Sequence, residues 1–393
     1  MRRLSHAELA LFLAPLALVP LAIYGQRWKI AVTPRPTPSP RPKPTPLPNL
    51  HTNFGGIIQA VLPSADGKWV YTGIQGVATK PRFAKWDAKS GALIRRFGLF
   101  RVTNGGAVLS PNGRILGFGK GGWRGDRVVL FDTATGKERR QFISRPNVEG
   151  GFADFALNDE VVALQTDDDV RLVRITDGRF VGKLRHRTSD YYPKKPVFSP
   201  DGHQLAWIGF SNRDYDSYAN GNSNDEIVWF DWKTRKRLGA LEFSHSDLFN
   251  VRFSGDGHVL LVWGFHRYWV KSRTGHNDIA TQEKMWAIDA HRGKEMWDWN
   301  MSGWGNNIGV SPNGRLFSAP QRYNVGQNSP DYTSIREVAT NHEVVRLPLD
   351  SGYTSAWSSN SRTIYIPNYA GLMRVNRQTN DSWKSGKAVF GVD

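Results

Sequence analysis

The sequence has no cysteine. Disulfide bonds, thiolate catalysis and thiolate metal ligands are therefore all excluded. The absence also favours a location outside a reducing cytosol, where a free thiol is a liability. Other catalytic signatures are missing as well: there is no G-x-S-x-G elbow, and "HEVVR" at His342 lacks the second histidine of a zinc helix. These gaps favour a non-catalytic protein.

Acidic residues are scarce relative to basic ones, with 35 Asp and Glu against 52 Lys and Arg, which gives a formal net charge of +17. The positive charge is spread along the chain rather than gathered in one run. A diffuse basic surface attracts anionic lipids, wall polymers or nucleic acid without specifying any of them. No dense Lys/Arg run marks a nucleic-acid groove, so we do not predict a nucleic-acid partner.

The chain begins with "MRRLSHAELALFLAPLALVPLAIYGQRWK", in which residues 9–25 are apolar. This length is near the lower limit for crossing a bilayer. We predict a signal anchor or transmembrane helix within residues 1–30. An uncleaved anchor is favoured over a cleaved signal, because no clean A-x-A site follows. The charge count across the segment favours a cytoplasmic body, whereas the signal-like layout, the missing cysteine and the spacer favour an exported one. We predict the exported arrangement, in the periplasm or at the cell surface.

A proline-rich spacer occupies residues 31–50. Proline stands at every second position from Pro34 to Pro48. Each ring fixes its own φ and biases the preceding residue to extended geometry. The expected structure is a semi-rigid polyproline-II rod of roughly 50 Å, which would hold the rest of the chain away from its anchor.

Glycine and aromatic residues are abundant, with 39 Gly and 15 Trp, which is typical of an all-β protein. Residues 51–393 contain one pattern seven times, for example "FSPDGHQLAWIG" from Phe198 and "FSGDGHVLLVWG" from Phe253. A second pattern, such as "VLFDTATGKERRQF", follows each one. The turn serines are Ser64, Ser110, Ser199, Ser254, Ser311 and Ser358, and Ala156 takes the third place. Units of about 40–50 residues with four strands each predict a seven-bladed β-propeller of four-stranded antiparallel blades.

Two of these motifs resemble those of a known repeat family. The F-S-P-D-G turn at residues 198–202 and the W-D-x-x-x-G turn (Trp86, Asp87, Gly91) are similar to the WD40-like repeats of bacterial TolB-type propellers. A further unit, "AIDAHRGKEMW" at residues 287–297, resembles the tryptophan-docking repeat of quinoprotein dehydrogenases. Both resemblances imply a propeller fold and say little about function. The closing blade is expected to take its outer strand either from the C-terminal tail or from residues 50–53.

The connections between the second and third strands lengthen in three neighbouring blades, to about fifteen, eighteen and thirteen residues in blades 4, 5 and 6. Insertions on one face of a repeat array are typical of a binding side. The alternative is that they are tolerated surface loops, since long loops cost little. The predicted binding residues are Tyr215, Tyr218, Asn220, Asn222, His266, Arg267, Tyr268, Trp269, His276, Arg322, Tyr323, Asn324 and Tyr332.

The function predicted from these features is a membrane-tethered binding or scaffold module for a protein or glycan partner. The alternatives are a propeller enzyme, either a quinoprotein-like oxidoreductase or a polysaccharide-active one, and a cytoplasmic scaffold. No cofactor and no metal are predicted. Asp214 and Asp216 resemble calcium ligands, but the spacing of a calcium loop is missing. "GFGKGG" matches a phosphate-binding pattern by letter, but it opens no helix.

Overall fold

A computed structural model of the chain describes residues 56–76, 83–97, 102–120, 126–145, 153–156, 160–166, 169–185, 195–210, 224–271, 277–302, 308–321, 332–348, 355–368, 371–378 and 383–385. All of them belong to one unit, Pro48–Asp393. The predicted anchor in residues 1–30 and the spacer in 31–50 lie outside the described residues. In the ranges given, no helix has the length and hydropathy needed to span a bilayer.

The described residues form seven antiparallel sheets of four strands each. Blade 1 contains β1 (Gly56–Pro63), β2 (Trp69–Gly76), β3 (Phe83–Asp87) and β4 (Leu93–Phe97). Blade 2 contains β5 (Val102–Leu109), β6 (Ile115–Lys120), β7 (Asp126–Asp132) and β8 (Glu138–Arg145). Blade 3 contains β9 (Ala153–Phe155), β10 (Val161–Gln165), β11 (Asp169–Arg174) and β12 (Phe180–Arg185). Blade 4 contains β13 (Val197–Phe198), β14 (Gln204–Phe210), β15 (Asp225–Asp231) and β16 (Lys236–Phe243).

The last three blades follow the same order. Blade 5 contains β17 (Ser246–Phe253), β18 (Val259–Lys271), β19 (Asn277–Asp289) and β20 (Lys294–Asn300). Blade 6 contains β21 (Gly309–Val310), β22 (Leu316–Gln321), β23 (Tyr332–Glu337) and β24 (Glu343–Leu347). Blade 7 contains β25 (Ala356–Trp357), β26 (Thr363–Asn368), β27 (Gly371–Arg377) and β28 (Trp383–Ser385). The prediction of a seven-bladed, four-stranded, all-β propeller is therefore confirmed.

The ring closes through contacts between complete blades. The outer strand of blade 7 is β28, which comes from the C-terminal part of the chain, so the alternative of a strand from residues 50–53 does not apply to this sheet. One apolar cluster joins Tyr365 and Leu372 of blade 7 to Ile58 and Val61 of blade 1. Blade 7 and blade 1 are thus held together by side chains and not by an exchanged strand.

The hydrophobic core lies between blades rather than within them. Seven clusters of buried apolar residues occur, one between each pair of neighbouring blades. Trp207 of blade 4, for example, packs with Leu172 and Leu184 of blade 3. A single four-stranded sheet has two faces to cover, and its two neighbours cover them. The core therefore depends on the closed ring.

The turn between the first and second strands uses the same contacts in six blades. Each turn serine is buried, and its Oγ accepts the backbone N–H of the residue five positions later at 2.8–3.0 Å. The same hydroxyl donates to the Asp or Asn two positions later at 2.5–3.0 Å. In blade 3 Ala156 keeps only its backbone bond to Val161, at 2.9 Å. Local turn chemistry thus explains the serine repeat of the sequence.

Blade 5 departs from the sequence expectation. We predicted a loop of about eighteen residues between its second and third strands, and that prediction is wrong. Strands β18 and β19 are thirteen residues long each and pair along their full length, from Val259↔Asp289 to Lys271↔Asn277. The aromatic and β-branched residues that were assigned to a loop have high strand propensity and continue the hairpin.

Candidate functional site

The extended hairpin of blade 5 projects beyond the other strands of its sheet. The first strand, β17, pairs with β18 only as far as His266, and the outer strand, β20, pairs with β19 only as far as Lys284. Beyond those positions the two long strands are paired with each other. We call residues 267–271 and 277–283 the blade 5 ribbon. No described strand pairs with the ribbon beyond those positions, and exposed side chains occur on both of its faces.

Apolar side chains are exposed on both faces of the ribbon. Trp269 is 54 % exposed and lies opposite Ile279, which is 38 % exposed. Tyr268, at 45 %, and Val270 point to the other face, because successive side chains of a strand alternate. Isolated exposed apolar residues are ordinary, but these four give the ribbon an apolar patch on each face. Tyrosine and tryptophan are also the residues enriched at the centres of protein interfaces.

An ion pair anchors the base of the ribbon. Arg267 Nη2 lies 3.3 Å from Asp247 Oδ2, and the two side chains are only 11 % and 12 % exposed. The backbone N–H of Arg267 also donates to the carbonyl of His245 at 2.8 Å. Charge-assisted hydrogen bonds are the stronger class, and breaking a pair of low exposure leaves an uncompensated charge. Arg267 therefore positions the ribbon, whereas Tyr268 and Trp269 are free to contact another molecule.

His266 borders the same region. Its Nδ1 lies 3.3 Å from the hydroxyl of Ser246, and its ring stacks with that of Tyr268 at 6.5 Å between centroids. Burial lowers the pKa of His266, and the nearby positive charge of Lys284 lowers it further. The imidazole is consequently neutral at neutral pH. A pocket of about 230 Å³ opens here, lined by His245, His266, Arg267, Tyr268, Trp269 and Ile279.

Of the other predicted binding residues, the structure describes Tyr332. It begins β23 in blade 6 and is partly buried, and the guanidinium of Arg346 lies 5.1 Å from its ring centroid. The remaining residues lie outside the described ranges. They are Tyr215, Tyr218, Asn220, Asn222, His276, Arg322, Tyr323 and Asn324, and the calcium candidates Asp214 and Asp216 lie outside as well. No group of three or more possible metal ligands occurs in the part of the chain that the structure describes.

Three residues of the ribbon region escaped the sequence prediction: His245, Val270 and Ile279. The available signal was the strand propensity of Tyr-Trp-Val at residues 268–270 and of Ile-Ala-Thr at 279–281, on either side of Ser-Arg-Thr-Gly-His. Two strand-like runs around a short Gly-containing turn are typical of a hairpin. Applied to blade 5, that rule predicts the ribbon and places Ile279 across from Trp269.

The segment that resembles a quinoprotein repeat has a structural task. The indole Nε1–H of Trp297 in blade 5 donates to the carbonyl of Val338 in blade 6 at 2.8 Å. Its ring also stacks on Phe317, with 5.8 Å between centroids. Trp297 thus docks one blade on the next, and this contact requires no cofactor. The first four residues of the letter match "GFGKGG", 117–120, lie in strand β6, with no helix after them among the described residues.

Comparison with known proteins adds the fold and nothing finer. No protein-family model matches the chain, and no curated protein matches it in sequence. Hydrazine synthase from Kuenenia stuttgartiensis is similar in structure, with a TM-score of 0.61 and 14 % identity over 84 % of this chain and 96 % of that one. The β-propeller domain of Cps50 (Swd1) from Myceliophteria thermophila gives a TM-score of 0.57 and 17 % identity over 82 % and 97 %. At these identities the likeness shows the propeller fold alone.

Proposed function

We propose that this chain is a membrane-tethered propeller that binds a protein partner through the blade 5 ribbon. The observation that carries the proposal is the exposed group Tyr268, Trp269, Val270 and Ile279 on a ribbon longer than its own blade requires. In blades 3 and 7, which flank blades 4 to 6, the connections between the second and third strands are shorter. The extension in blade 5 is therefore not needed to close a blade, and it serves something other than folding.

The energetics of the ribbon support a partner. A two-stranded hairpin alone in water is marginally stable at best. Exposed aromatic rings retain an unfavourable contact with water that a partner would remove, at about 25 cal/mol for each Å² buried. The ribbon is also anchored at its base by Arg267 and Asp247. Such anchoring lowers the conformational entropy lost when the ribbon binds.

The chemistry of the surface indicates the class of partner. Lys271 is an exposed basic residue two positions after Trp269, and the whole chain carries +17. A partner with an acidic surface and an apolar pocket complements that arrangement, and long-range attraction would speed the encounter. A protein is favoured over a glycan because the exposed residues of the ribbon include Val270 and Ile279, which offer apolar contact but no hydrogen bonds to hydroxyl groups.

The proposed location rests on the sequence. Residues 9–25 would anchor the chain, and the proline spacer of residues 33–48 would hold the propeller away from the membrane on its outer side. Protease treatment of intact cells and of spheroplasts tests this directly. Digestion of the propeller in either preparation supports export. Protection that persists in spheroplasts and ends only when the inner membrane is lysed would contradict export and favour a cytoplasmic scaffold.

The binding test uses the full-length chain in its own cells. A photo-crosslinking residue is placed at Trp269, and in a second strain at Phe180, which is 60 % exposed on the outer strand of blade 3. We expect a discrete protein crosslink from position 269 and none from position 180. The crosslink should disappear when Tyr268→Ser is added, since that ring belongs to the same ribbon.

A loop replacement provides the second variant. Residues 268–280 are replaced by Asn-Gly, a two-residue hairpin turn that joins the paired residues Arg267 and Thr281 and keeps the Arg267–Asp247 ion pair. We expect this variant to fold as the parent does and to lose the partner. Equal crosslinking from positions 180 and 269 would contradict the proposal. A crosslinked species that resists proteases and is removed by glycosidases would replace the protein partner by a glycan.

A further inference from the structure

A cavity lies among the first strands of blades 3 to 6, away from the blade 5 ribbon. The first strands of successive blades contact one another, so they surround the middle of the ring. The cavity measures about 370 Å³ and has residues from β9, β13, β17 and β21, or beside them, in its wall. Phe198, Phe253 and Val310 contribute apolar surface. Its volume is at the lower end of the range that small-molecule sites occupy.

Three charged side chains line this cavity, two of them positive. Lys195 Nζ lies 3.7 Å from Asp154 Oδ1. The other carboxylate oxygen, Oδ2, accepts the backbone N–H of Phe198 at 2.9 Å. Arg252 contributes the second positive charge. Among the residues that the structure describes, none hydrogen-bonds to the Arg252 guanidinium. One carboxylate, already shared with a backbone donor, therefore faces two cations.

The cations are held under electrostatic strain. Burial lowers the pKa of Lys195, and the nearby charge of Arg252 lowers it further, while Asp154 raises it. Burial also lowers the pKa of Arg252, again opposed by Asp154. Taking a charge out of water is costly unless an opposite charge compensates it. An added anion would offset both the burial and the mutual repulsion of the two side chains.

We propose that this cavity binds a small organic anion, with a carboxylate or phosphate group held by Lys195 and Arg252 and a short carbon skeleton against the apolar wall. An arginine fork binds either group through two parallel hydrogen bonds, and a lysine supplies a point charge beside it. Asn250 lines the same cavity; its Oδ1 accepts the N–H of Val251 at 3.0 Å, which leaves the amide nitrogen as a further donor.

Substitution of Asp154 should change the affinity for the anion in the opposite direction to substitution of either cation. Its carboxylate competes with the ligand for Lys195, so its removal should strengthen anion binding. Asp154→Asn keeps the size of the side chain and an oxygen that can accept the N–H of Phe198. Lys195→Gln and Arg252→Gln each remove one cation and should weaken binding. A merely structural cluster predicts no such reversal.

The blade 3 sheet offers a matched control. There Lys183 Nζ lies 3.4 Å from Asp169 Oδ2, and Arg171 Nε lies 3.5 Å from Asp169 Oδ1. The residue types are the same, but the lysine and arginine side chains are 42 % and 52 % exposed. Because water already solvates these charges, an anion gains little there. Lys183→Gln should leave anion binding unchanged.

The experiment is calorimetric titration of the full-length protein in a buffer of low chloride, with inorganic phosphate and succinate as separate probes. We expect saturable binding of at least one probe, and the two probes distinguish phosphate from carboxylate. Lys195→Gln and Arg252→Gln should each weaken binding at least about tenfold, and Asp154→Asn should tighten it severalfold. The Asn-Gly variant of the ribbon should bind as the parent does, which separates this site from the proposed function.

Three results would overturn the proposal: no saturable binding of either probe at millimolar concentration, equal weakening by Lys183→Gln, or weaker binding in Asp154→Asn. Should a lysine or arginine variant not fold, the isosteric Asp154→Asn and the Lys183→Gln control still decide between the outcomes.

Discussion

The two ends of blade 5 differ in what determines their structure. At one end Ser254 and Asp256 form the same hydrogen-bonded turn as in five other blades. At the other end β18 and β19 continue past both neighbouring strands and expose Trp269. The turn end is determined by folding, because its polar groups satisfy one another locally. The ribbon end carries no such requirement, so its length and its aromatic residues are available for recognition.

The largest expected effect distinguishes folding from recognition, and it concerns two tryptophans on one strand. Trp263 and Trp269 both belong to β18, but Trp263 is 2 % exposed and packs with Met285, Ile308 and Phe317 between blades 5 and 6. Trp263→Ala should lower the free energy of unfolding by about 3–5 kcal/mol, because it leaves a large cavity. Trp269→Ala should change it by less than about 0.5 kcal/mol and should abolish the crosslinking of the partner from a photo-crosslinking residue placed at Ala280, also on the ribbon. Urea unfolding and the crosslink assay measure the two effects.

A reversal of these two effects would remove the distinction between the ends of the blade. If Trp269→Ala destabilised the protein as much as Trp263→Ala, the ribbon would be part of the folded core. Trp269→Phe serves as the conservative variant, because it keeps an aromatic ring on the same face. It should retain part of the binding.

The contacts between blades also differ in how much they should contribute to stability. Arg374 of blade 7 donates from Nη1 to the carbonyl of Ala88 in blade 1 at 3.0 Å, and Arg140 of blade 2 donates to the carbonyl of Asp177 in blade 3 at the same distance. Blades 2 and 3 are consecutive in the chain, whereas blades 7 and 1 lie at its two ends and, among the described residues, are joined by the contacts of side chains. Arg374→Met should therefore cost about 1.5–3 kcal/mol, and Arg140→Met less than about 1 kcal/mol.

Hydrogen exchange localises that difference. In Arg374→Met, protection should fall first in β27 and in β3, which ends next to Ala88, on either side of the closing contact. A loss of protection spread evenly over all seven blades would show that ring closure does not depend on this contact. Arg140→Met should leave the exchange of both strands unchanged.

Local and long-range features differ in how far they could be predicted from sequence. The seven turns were predictable because each depends on a few adjacent residues, such as Ser254 with Asp256. The ribbon was missed because the polar residues around Tyr268 were weighed above the strand propensity of Tyr268, Trp269 and Val270. The charged cluster in the cavity could not be predicted from the sequence. Asp154, Lys195 and Arg252 belong to three blades, and only the curvature of the ring brings them together. Proximity of that kind leaves no pattern along a single sequence.

A smaller effect tests whether the buried turn serine matters beyond its backbone bonds. Ser254 Oγ accepts the N–H of Val259 at 2.9 Å, and Ser254→Ala would leave that buried group without its side-chain acceptor. We expect a loss of about 1–2 kcal/mol in unfolding free energy. Ser90, which is exposed and donates to Asp87 at 2.8 Å, is the control. Ser90→Ala should cost less than about 0.5 kcal/mol, and an equal loss in both variants would assign no special role to the buried turn.

The smallest effect expected for a single residue is a loss of folding stability at low pH. It should arise at the turn end of the blades and not at the ribbon. Backbone N–H groups two and three positions later donate to Asp87, Asp132, Asp231 and Asp289 and hold the pKa of each carboxyl below its usual value. A depressed pKa in the folded state gives stability that is present above the unfolded value of about 3.9 and is lost as the pH falls through the folded value. The urea midpoint should therefore decrease below about pH 4. Asp132→Asn keeps the acceptor oxygen but cannot titrate, so it should reduce this decrease, and an unchanged pH dependence would show that the turn carboxylates do not cause it.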